Sequence, residues 1–226
     1  MSIPEIEFPA TLIFIGKTKS GKTTALKKLM TKYRAQFDYC YVFTSIKKEE
    51  YYDIVNPSNV MGYDKLHIID KFTVDDPNIK QKKRLIILDN FIGDTKLEKN
   101  VIKIFTAGRH NNITIAVLSQ YMYQVPPVIR CNASYYFLLK SSIRDLEAIW
   151  DIQDHYDTKE EFMRNMRQQM KGYDPILICN FATNDDKSIF KLSDSWFKAK
   201  QIKIIDFQDD EDIIDKSDSL DDVSQD

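Results

Sequence analysis

The sequence predicts one α/β domain with a mainly parallel central sheet flanked by helices. Short apolar runs rich in β-branched and aromatic residues alternate with longer mixed segments, which is typical of parallel strands covered by helices. A glycine-rich G-x-x-x-x-G-K-[ST] pattern directly follows the first apolar run, where a strand would pass into a helix. The 226 residues are 43% hydrophobic, which suits one domain with an appendage and excludes a wholly disordered or fibrous chain.

The strands are predicted from apolar runs that are too short for helices and are followed by polar or turn residues. They cover residues 11–15, 39–44, 65–69, 85–88, 113–119, 135–139 and 175–180. The longer segments between them predict helices at 23–37, 96–107, 143–153 and 158–171, and a short hairpin is predicted at 188–192. The chain has no internal repeat and no linker that would separate two folded domains.

The net charge of -2 conceals an uneven distribution. Residues 206–226 contain ten acids and one base, for a charge of -9, which leaves 31 bases and 24 acids, or +7, in the remainder. We therefore expect a folded domain at 1–205 and a disordered acidic tail at 206–226. Three roles for the tail remain open: it folds back over the basic body of the protein, docks on a basic partner surface, or keeps the protein soluble.

The sequence favours a soluble, unexported protein. No apolar run approaches the roughly 18 residues of a membrane-spanning helix, and the N-terminus lacks the pattern of a signal peptide. Cys40, Cys131 and Cys179 lie far apart among apolar residues, and no CxxC pair is present. We therefore expect buried, reduced thiols, with neither disulfides nor structural zinc.

The glycine-rich pattern predicts a phosphate-binding loop, or P-loop. Its glycines allow backbone N–H groups to turn towards phosphate oxygens, assisted by the positive end of the following helix. Lys22 would neutralise the β and γ phosphates of ATP, and the Thr23 hydroxyl would bind Mg²⁺. The residues expected to bind the nucleotide are Gly16, Lys17, Thr18, Lys19, Ser20, Gly21, Lys22, Thr23 and Thr24.

A second pattern is an apolar strand that ends at Asp89, the residue type that holds Mg²⁺ through water in P-loop NTPases. Asp89 lies 67 residues beyond Lys22. That interval favours the ATPase branch of the fold, with an extra strand between the loop strand and the acid strand. An ordinary strand end before a turn is the alternative. The next residue is Asn90, and an amide can orient water but cannot take its proton. Asp94 and Glu98 are the nearby carboxylates.

The segment 106–132 adds polar residues at predicted strand boundaries. Gln120 follows a strand and is placed to sense a γ phosphate and to orient a water molecule. Arg109 and Arg130 lie near the starts of predicted strands, after small or apolar residues.

Together these motifs resemble the genome-packaging ATPases of large DNA viruses and virophages, in the FtsK/HerA superfamily. The resemblance covers roughly residues 10–140. It is carried by the P-loop, by the strand and acid at 85–90, by Gly-Arg-His-x-Asn-Ile at 108–113, by Ser-Gln at 119–120, and by Pro-x-x-x-Arg-x-Asn at 126–132.

The resemblance implies a homo-oligomeric ring that uses ATP and Mg²⁺ to move double-stranded viral DNA into a preformed capsid. It implies double-stranded DNA, capsid proteins and further copies of the chain as partners, and no membrane. The implied location is the site of virus assembly in the host cytoplasm, or the virion itself. Lys22 and Thr23 look like the loop ligands, Asp89 like the magnesium acid and Gln120 like the sensor.

The same resemblance implies an arginine supplied by the neighbouring subunit, with Arg130 as the first candidate and Arg109 as the second. An ordinary structural ion pair is the alternative for either arginine. The family pattern usually has two acids at the magnesium strand, so Asn90 departs from it and leaves the catalytic carboxylate open.

Contacts with DNA are less well defined. The basic run at 80–84 and the pair Lys47 and Lys48 are candidates for backbone phosphate contacts, and solvated loops are the alternative. Two other functions remain open: a nucleotide-dependent switch or scaffold with weak hydrolysis, which Asn90 favours, and a small-molecule kinase. Such a kinase would need an arginine-rich lid, and the sequence shows no arginine cluster of that kind.

Overall fold

Eight strands form a single sheet in this computed structural model, which describes residues 3–45, 48–66, 81–90, 102, 104–105, 108–152, 158–180 and 189–198. The strands are β1 (Thr11–Ile15), β2 (Tyr39–Thr44), β3 (Val60–Met61), β4 (Arg84–Asp89), β5 (Ile113–Ser119), β6 (Tyr135–Leu138), β7 (Ile176–Cys179) and β8 (Ile189–Lys191).

The order across the sheet is β3-β2-β4-β5-β1-β6-β7-β8. Strands β1 to β6 pair in parallel, whereas β7 is antiparallel to both β6 and β8. Strand β5 lies between β1 and β4, so the expected extra strand between the loop strand and the acid strand is confirmed. The carboxyl ends of β1, β4 and β5 therefore share one edge of the sheet, which we call the carboxyl edge.

Helices cover both faces of this sheet. They are α1 (Lys22–Tyr33), α2 (Pro127–Cys131), α3 (Ile143–Trp150), α4 (Lys159–Gln169) and α5 (Asp194–Phe197). Side chains of β1 alternate between two buried clusters: Leu12 and Phe14 pack with α1, and Ile13 and Ile15 pack with α3 and α4. Burial on both faces explains why the strands read as continuous apolar runs.

Most predicted elements are confirmed within a few residues, and three strands match at both ends. The strand predicted at 65–69 is wrong. The edge strand is instead β3, which pairs with Val42 and Phe43 of β2. Lys65 and Leu66 belong to a helical turn, in which the Lys65 N–H donates to the Gly62 carbonyl at 3.1 Å, and 67–69 lie outside the described residues.

Other differences are smaller. The 188–192 segment contributes one strand, β8, that pairs back onto β7. The helix predicted at 96–107 falls largely outside the described residues, although 102, 104 and 105 are helical. Cys40 and Cys179 are buried as expected, but Cys131 is exposed because it lies at the end of the short helix α2.

The acidic segment 206–226 lies outside the described residues. No helix in the described part of the chain is long and apolar enough to cross a membrane.

Candidate nucleotide-binding site

The P-loop joins β1 to α1 at the carboxyl edge. Its start is fixed by two neighbours, since the Gly16 N–H donates to the Ser119 carbonyl at 3.3 Å and the Lys17 N–H to the Lys140 carbonyl at 3.4 Å. A Cβ on Gly16 would lie 2.5 Å from the Ser20 hydroxyl, and Gly21 has a φ of 96°. Both glycines are therefore required by the backbone path.

Lys22 folds back over this loop. Its ammonium donates to the Gly16 carbonyl at 2.6 Å and to the Lys17 carbonyl at 3.2 Å. Burial lowers the pKa of Lys22, and the charge of Asp89 partly opposes that shift. A cation is thus held at the mouth of the loop, with an acid close enough to influence it.

Asp89 ends β4 and is 8% exposed. The Thr44 hydroxyl donates to its carboxylate at 3.4 Å, and the Tyr63 hydroxyl donates to its backbone carbonyl at 2.9 Å. Burial raises the pKa of Asp89, while Tyr51, the Asn90 N–H and Lys22 act in the opposite direction. The carboxylate is therefore costly to ionise in the protein alone, which is common where a cation is to be bound.

Tyr51 is a site residue that the sequence pattern did not reveal. Its side chain is fully buried, and its hydroxyl lies beside both the Asp89 carboxylate and the Thr23 hydroxyl. Burial raises the pKa of Tyr51, and the Asp89 charge adds to the shift. The hydroxyl makes no hydrogen bond of ordinary geometry with the described residues.

These contacts place Thr23 and Asp89 around one point. A hydroxyl and a carboxylate are oxygen donors, which Mg²⁺ prefers. The buried hydroxyl of Tyr51 adds a third oxygen at the same point. The residues present therefore fit a magnesium site.

Gln120 connects the P-loop to the end of β4. It accepts a hydrogen bond from the Thr18 hydroxyl at 3.2 Å, and its amide donates to the Asn90 side-chain oxygen at 3.4 Å. Asn90 in turn donates to the Ser45 hydroxyl at 3.4 Å and has a φ of 54°, which asparagine tolerates better than most residues. The structure thus brings Gln120 together with Lys22 and Asp89, as the sequence suggested.

Arg130 and Arg109 lie at the opposite edge of the sheet. Arg130 belongs to α2, and Ser134, just before β6, donates to the carbonyl of Thr11 at the start of β1. Arg109 lies in a turn directly before β5. The P-loop and these arginines are therefore separated by the length of the strands. No ion pair joins Arg130 to an acid in the described part of the chain, and its buried Nε atom has no hydrogen-bond partner there.

The basic run at 80–84 needs a correction. Arg84 is 1% exposed, and its guanidinium donates to the Asn111 carbonyl at 2.6 Å, so it anchors the start of β4 and cannot contact DNA. Lys82 and Lys83 are exposed, as is Lys48. Lys47, Lys80, Asp94 and Glu98 lie outside the described residues.

Residues 5–224 match the family described as Poxvirus A32 protein. The chain belongs to the poxvirus A32 family. The matched region includes most of the acidic segment that begins at residue 206. The family match therefore extends into that segment.

Relatives of this A32 family chain include the DNA packaging protein OPG160 of vaccinia virus (strain Copenhagen). The two are 22% identical over 96% of this chain and 81% of the vaccinia protein. Among solved structures, the genome packaging NTPase B204 from Sulfolobus turreted icosahedral virus 2, in complex with sulfate, has a TM-score of 0.58 and 17% identity. The alignment covers 78% of this chain and 94% of that one. At this identity the structural likeness establishes the shared fold.

Proposed function

We propose that this A32 family protein is an ATP-driven motor that moves double-stranded viral DNA into a preformed capsid. The observation that carries the proposal is the convergence of Lys22, Asp89 and Gln120 on one P-loop at the carboxyl edge. Support comes from the vaccinia relative, whose name is DNA packaging protein, and from the B204 structures, one of which is a complex with the ATP analogue AMPPCP.

ATP hydrolysis follows from the site geometry. The backbone N–H groups of the loop and the Lys22 ammonium bind the β and γ phosphates. Thr23 and Asp89 would hold Mg²⁺, and the ion would supply positive charge for the phosphate oxygens. The side-chain amides of Gln120 and Asn90 are hydrogen-bonded to each other and orient the attacking water, although neither can accept its proton.

A ring of subunits supplies the remaining cation. Arg130 and Arg109 lie at the edge of the sheet away from their own P-loop, so any role in hydrolysis requires them to reach the nucleotide of a neighbouring subunit. We assign this role first to Arg130, whose Nε atom is buried without a described partner, and second to Arg109. Such arginines contribute about 10³–10⁵ to the rate in other NTPases.

The motor works on double-stranded DNA with capsid proteins as its anchor, at sites of virus assembly in the host cytoplasm or in the virion. Exposed lysines such as Lys82, Lys83 and Lys48 supply contacts to DNA phosphates. Such contacts suit a motor, because they do not depend on base sequence.

Substitution at Arg130 tests the shared site. Arg130→Ala should abolish the ATPase activity that depends on protein concentration and should leave monomer nucleotide affinity within about twofold. Binding is measured by calorimetry with a non-hydrolysable ATP analogue. A large loss of nucleotide affinity in the monomer would show that Arg130 acts within its own chain and would contradict the assignment.

A nucleotide-dependent switch or scaffold is the second candidate, and Asn90 is the observation that favours it. If the amide limits proton removal, Asn90→Asp should raise the ATP turnover number while nucleotide affinity stays nearly constant. Tight nucleotide binding without turnover, in the presence and absence of DNA, would select the switch. Stimulation of turnover by a nucleoside would select a small-molecule kinase instead.

A further inference from the structure

The direction in which a nucleotide must lie across the P-loop follows from the strand order. Asp89 and Gln120 follow β4 and β5, which lie on one side of β1. The γ phosphate belongs beside these two residues, so the rest of the nucleotide extends to the other side of β1. That side is formed by the ends of β6 and β7.

The connection after β6 lies directly against the P-loop there. The Lys140 carbonyl accepts the Lys17 N–H at 3.4 Å, and the Ser141 hydroxyl donates to the Ile15 carbonyl at 3.4 Å. Leu139 lies 3.6 Å from the position of a Cβ on Gly21. Groups carried by this connection are therefore within the span of one nucleotide from the loop.

An exposed aromatic ring lies at the same place. Tyr173 precedes β7, and the pairing of Leu138 with Ile176 brings its loop to the carboxyl edge beside Lys140. The Lys140 ammonium lies 3.5 Å from the centroid of the Tyr173 ring. Tyr173 is 71% exposed, the highest value among the large hydrophobic side chains that the structure describes. Packing in the core therefore does not account for an aromatic residue at this position.

The loop that presents Tyr173 is tied down on both sides. The Lys191 ammonium donates to the Lys171 carbonyl at 3.0 Å and lies 3.8 Å from the Asp174 carboxylate. The Leu192 N–H donates to the Pro175 carbonyl at 2.8 Å. A ring on a fixed loop can be pre-positioned for a flat ligand, which reduces the conformational entropy lost on binding.

We propose that Tyr173 is the platform on which the base of the bound nucleotide stacks, with Lys140 as the cation beside it. The inference rests on the proposed function, since it requires that the P-loop binds ATP. Bases stack on aromatic side chains, and this interaction is stronger than an exposed cation–π contact. A base can therefore replace the Lys140 ammonium on the ring, which frees that cation for the phosphates.

The test separates binding of the base from binding of the phosphates. Tyr173→Ala should lower the affinity for ATP by about 5- to 100-fold. The affinity for inorganic tripolyphosphate, which has no base, should remain within about twofold. Tyr173→Phe should retain ATP affinity, because stacking uses the ring and not the hydroxyl. Calorimetry of the full chain with Mg²⁺ and each ligand measures all of these values.

Tyr123→Ala is the matched control, because Tyr123 is also an exposed tyrosine, at 58%, but lies on the other side of the P-loop after β5. It should leave ATP affinity unchanged. Unchanged ATP affinity in Tyr173→Ala, or an equal loss of ATP and tripolyphosphate affinity, would overturn the platform while leaving the ATPase intact. Failure of the unmodified protein to bind ATP would contradict the proposed function itself and the inference with it.

Discussion

At the scale of single residues, the buried hydroxyl of Tyr51 beside Asp89 and Thr23 gives the sharpest prediction. Tyr51→Phe should lower the Mg²⁺ affinity of the nucleotide complex by about 10- to 100-fold, because groups that orient metal ligands commonly contribute that much. The free energy of unfolding should fall by no more than about 1 kcal/mol, since the hydroxyl favours the ionised Asp89 carboxylate beside it but makes no close hydrogen bond.

Magnesium titrations of ATP analogue binding, together with urea unfolding, measure both effects of the Tyr51 substitution. Tyr52→Phe is the control, because Tyr52 is the neighbouring tyrosine and is exposed. If ATP analogue binding by Tyr51→Phe depends on Mg²⁺ as it does in the unmodified protein, the Tyr51 hydroxyl has no role in the magnesium site.

Asp89 gives a second prediction, because the carboxylate that is proposed to hold Mg²⁺ should lower the stability of the nucleotide-free protein. Asp89→Asn should raise the free energy of unfolding of the nucleotide-free protein by about 0.5–2 kcal/mol at pH 7. Burial raises the pKa of Asp89 in the folded state, so the native protein binds that proton more tightly than the unfolded chain. The ionised carboxylate therefore lowers stability above this raised pKa, and the loss is recovered as the pH falls through it.

Urea unfolding of both proteins between pH 7 and about pH 4 checks the sign. The advantage of Asp89→Asn should shrink towards the acid end, where the native aspartate is also neutral. An advantage that is absent at pH 7, or that grows as the pH falls, would contradict the argument.

The residues that could be predicted from the sequence are those whose chemistry is local. The P-loop is a continuous segment, so its glycines, Lys22 and Thr23 can be identified from the sequence pattern alone. Tyr51 and Tyr173 reach the site through pairings between distant strands, and nothing in their immediate neighbours distinguishes them from surface tyrosines. The prediction of Arg84 as a DNA contact was wrong for the same reason. Its burial results from the fold and is not visible in the neighbouring sequence.

At the scale of elements, Asp145 joins α3 to the segment that follows Gln120. Its fully buried carboxylate accepts hydrogen bonds from the Ser142 N–H at 2.8 Å, the Ser142 hydroxyl at 2.6 Å and the Met122 N–H at 2.7 Å. Asp145→Asn would direct an NH₂ group at one of these donors. We expect a loss of about 1–3 kcal/mol in the free energy of unfolding.

Thr158→Ala is the comparison for Asp145→Asn. Thr158 caps α4 at a more exposed position through one hydrogen bond to the Glu161 N–H, at 3.3 Å. Its loss should cost about 1 kcal/mol or less in urea unfolding. An equal or smaller effect for Asp145→Asn would show that the link between α3 and the segment after Gln120 contributes little to stability.

Element boundaries followed the sequence where apolar runs are buried on both faces, as in β1, β2 and β5. The edge of the sheet could not be predicted in the same way. Strand β3 has two residues and one pairing partner, so its sequence carries little β pattern, and the apolar run at 65–69 offered a stronger but misleading signal. The order of the strands also depends on long-range pairing, although the interval between Lys22 and Asp89 indicated the extra strand correctly.

At the scale of the whole molecule, the opposed charges of residues 1–205 and 206–226 predict an electrostatic effect of the acidic segment. If that segment covers the DNA surface, a 1–205 protein should bind duplex DNA about 3- to 10-fold more tightly than the full chain at low salt. The difference should shrink as salt screens the charges. Fluorescence anisotropy with a labelled duplex at several salt concentrations measures this, and equal affinities at low salt would exclude the covering role.

The central claim is that ATP hydrolysis at this P-loop is coupled to double-stranded DNA. The most direct measurement is the rate of ATP hydrolysis per chain over a range of protein concentrations, with and without duplex DNA, beside the Lys22→Ala variant. We predict that DNA raises the rate and that Lys22→Ala abolishes it. The rate per chain should also rise with protein concentration if, as proposed, neighbouring subunits share the site. A rate that is the same with and without DNA at every concentration would contradict the claim.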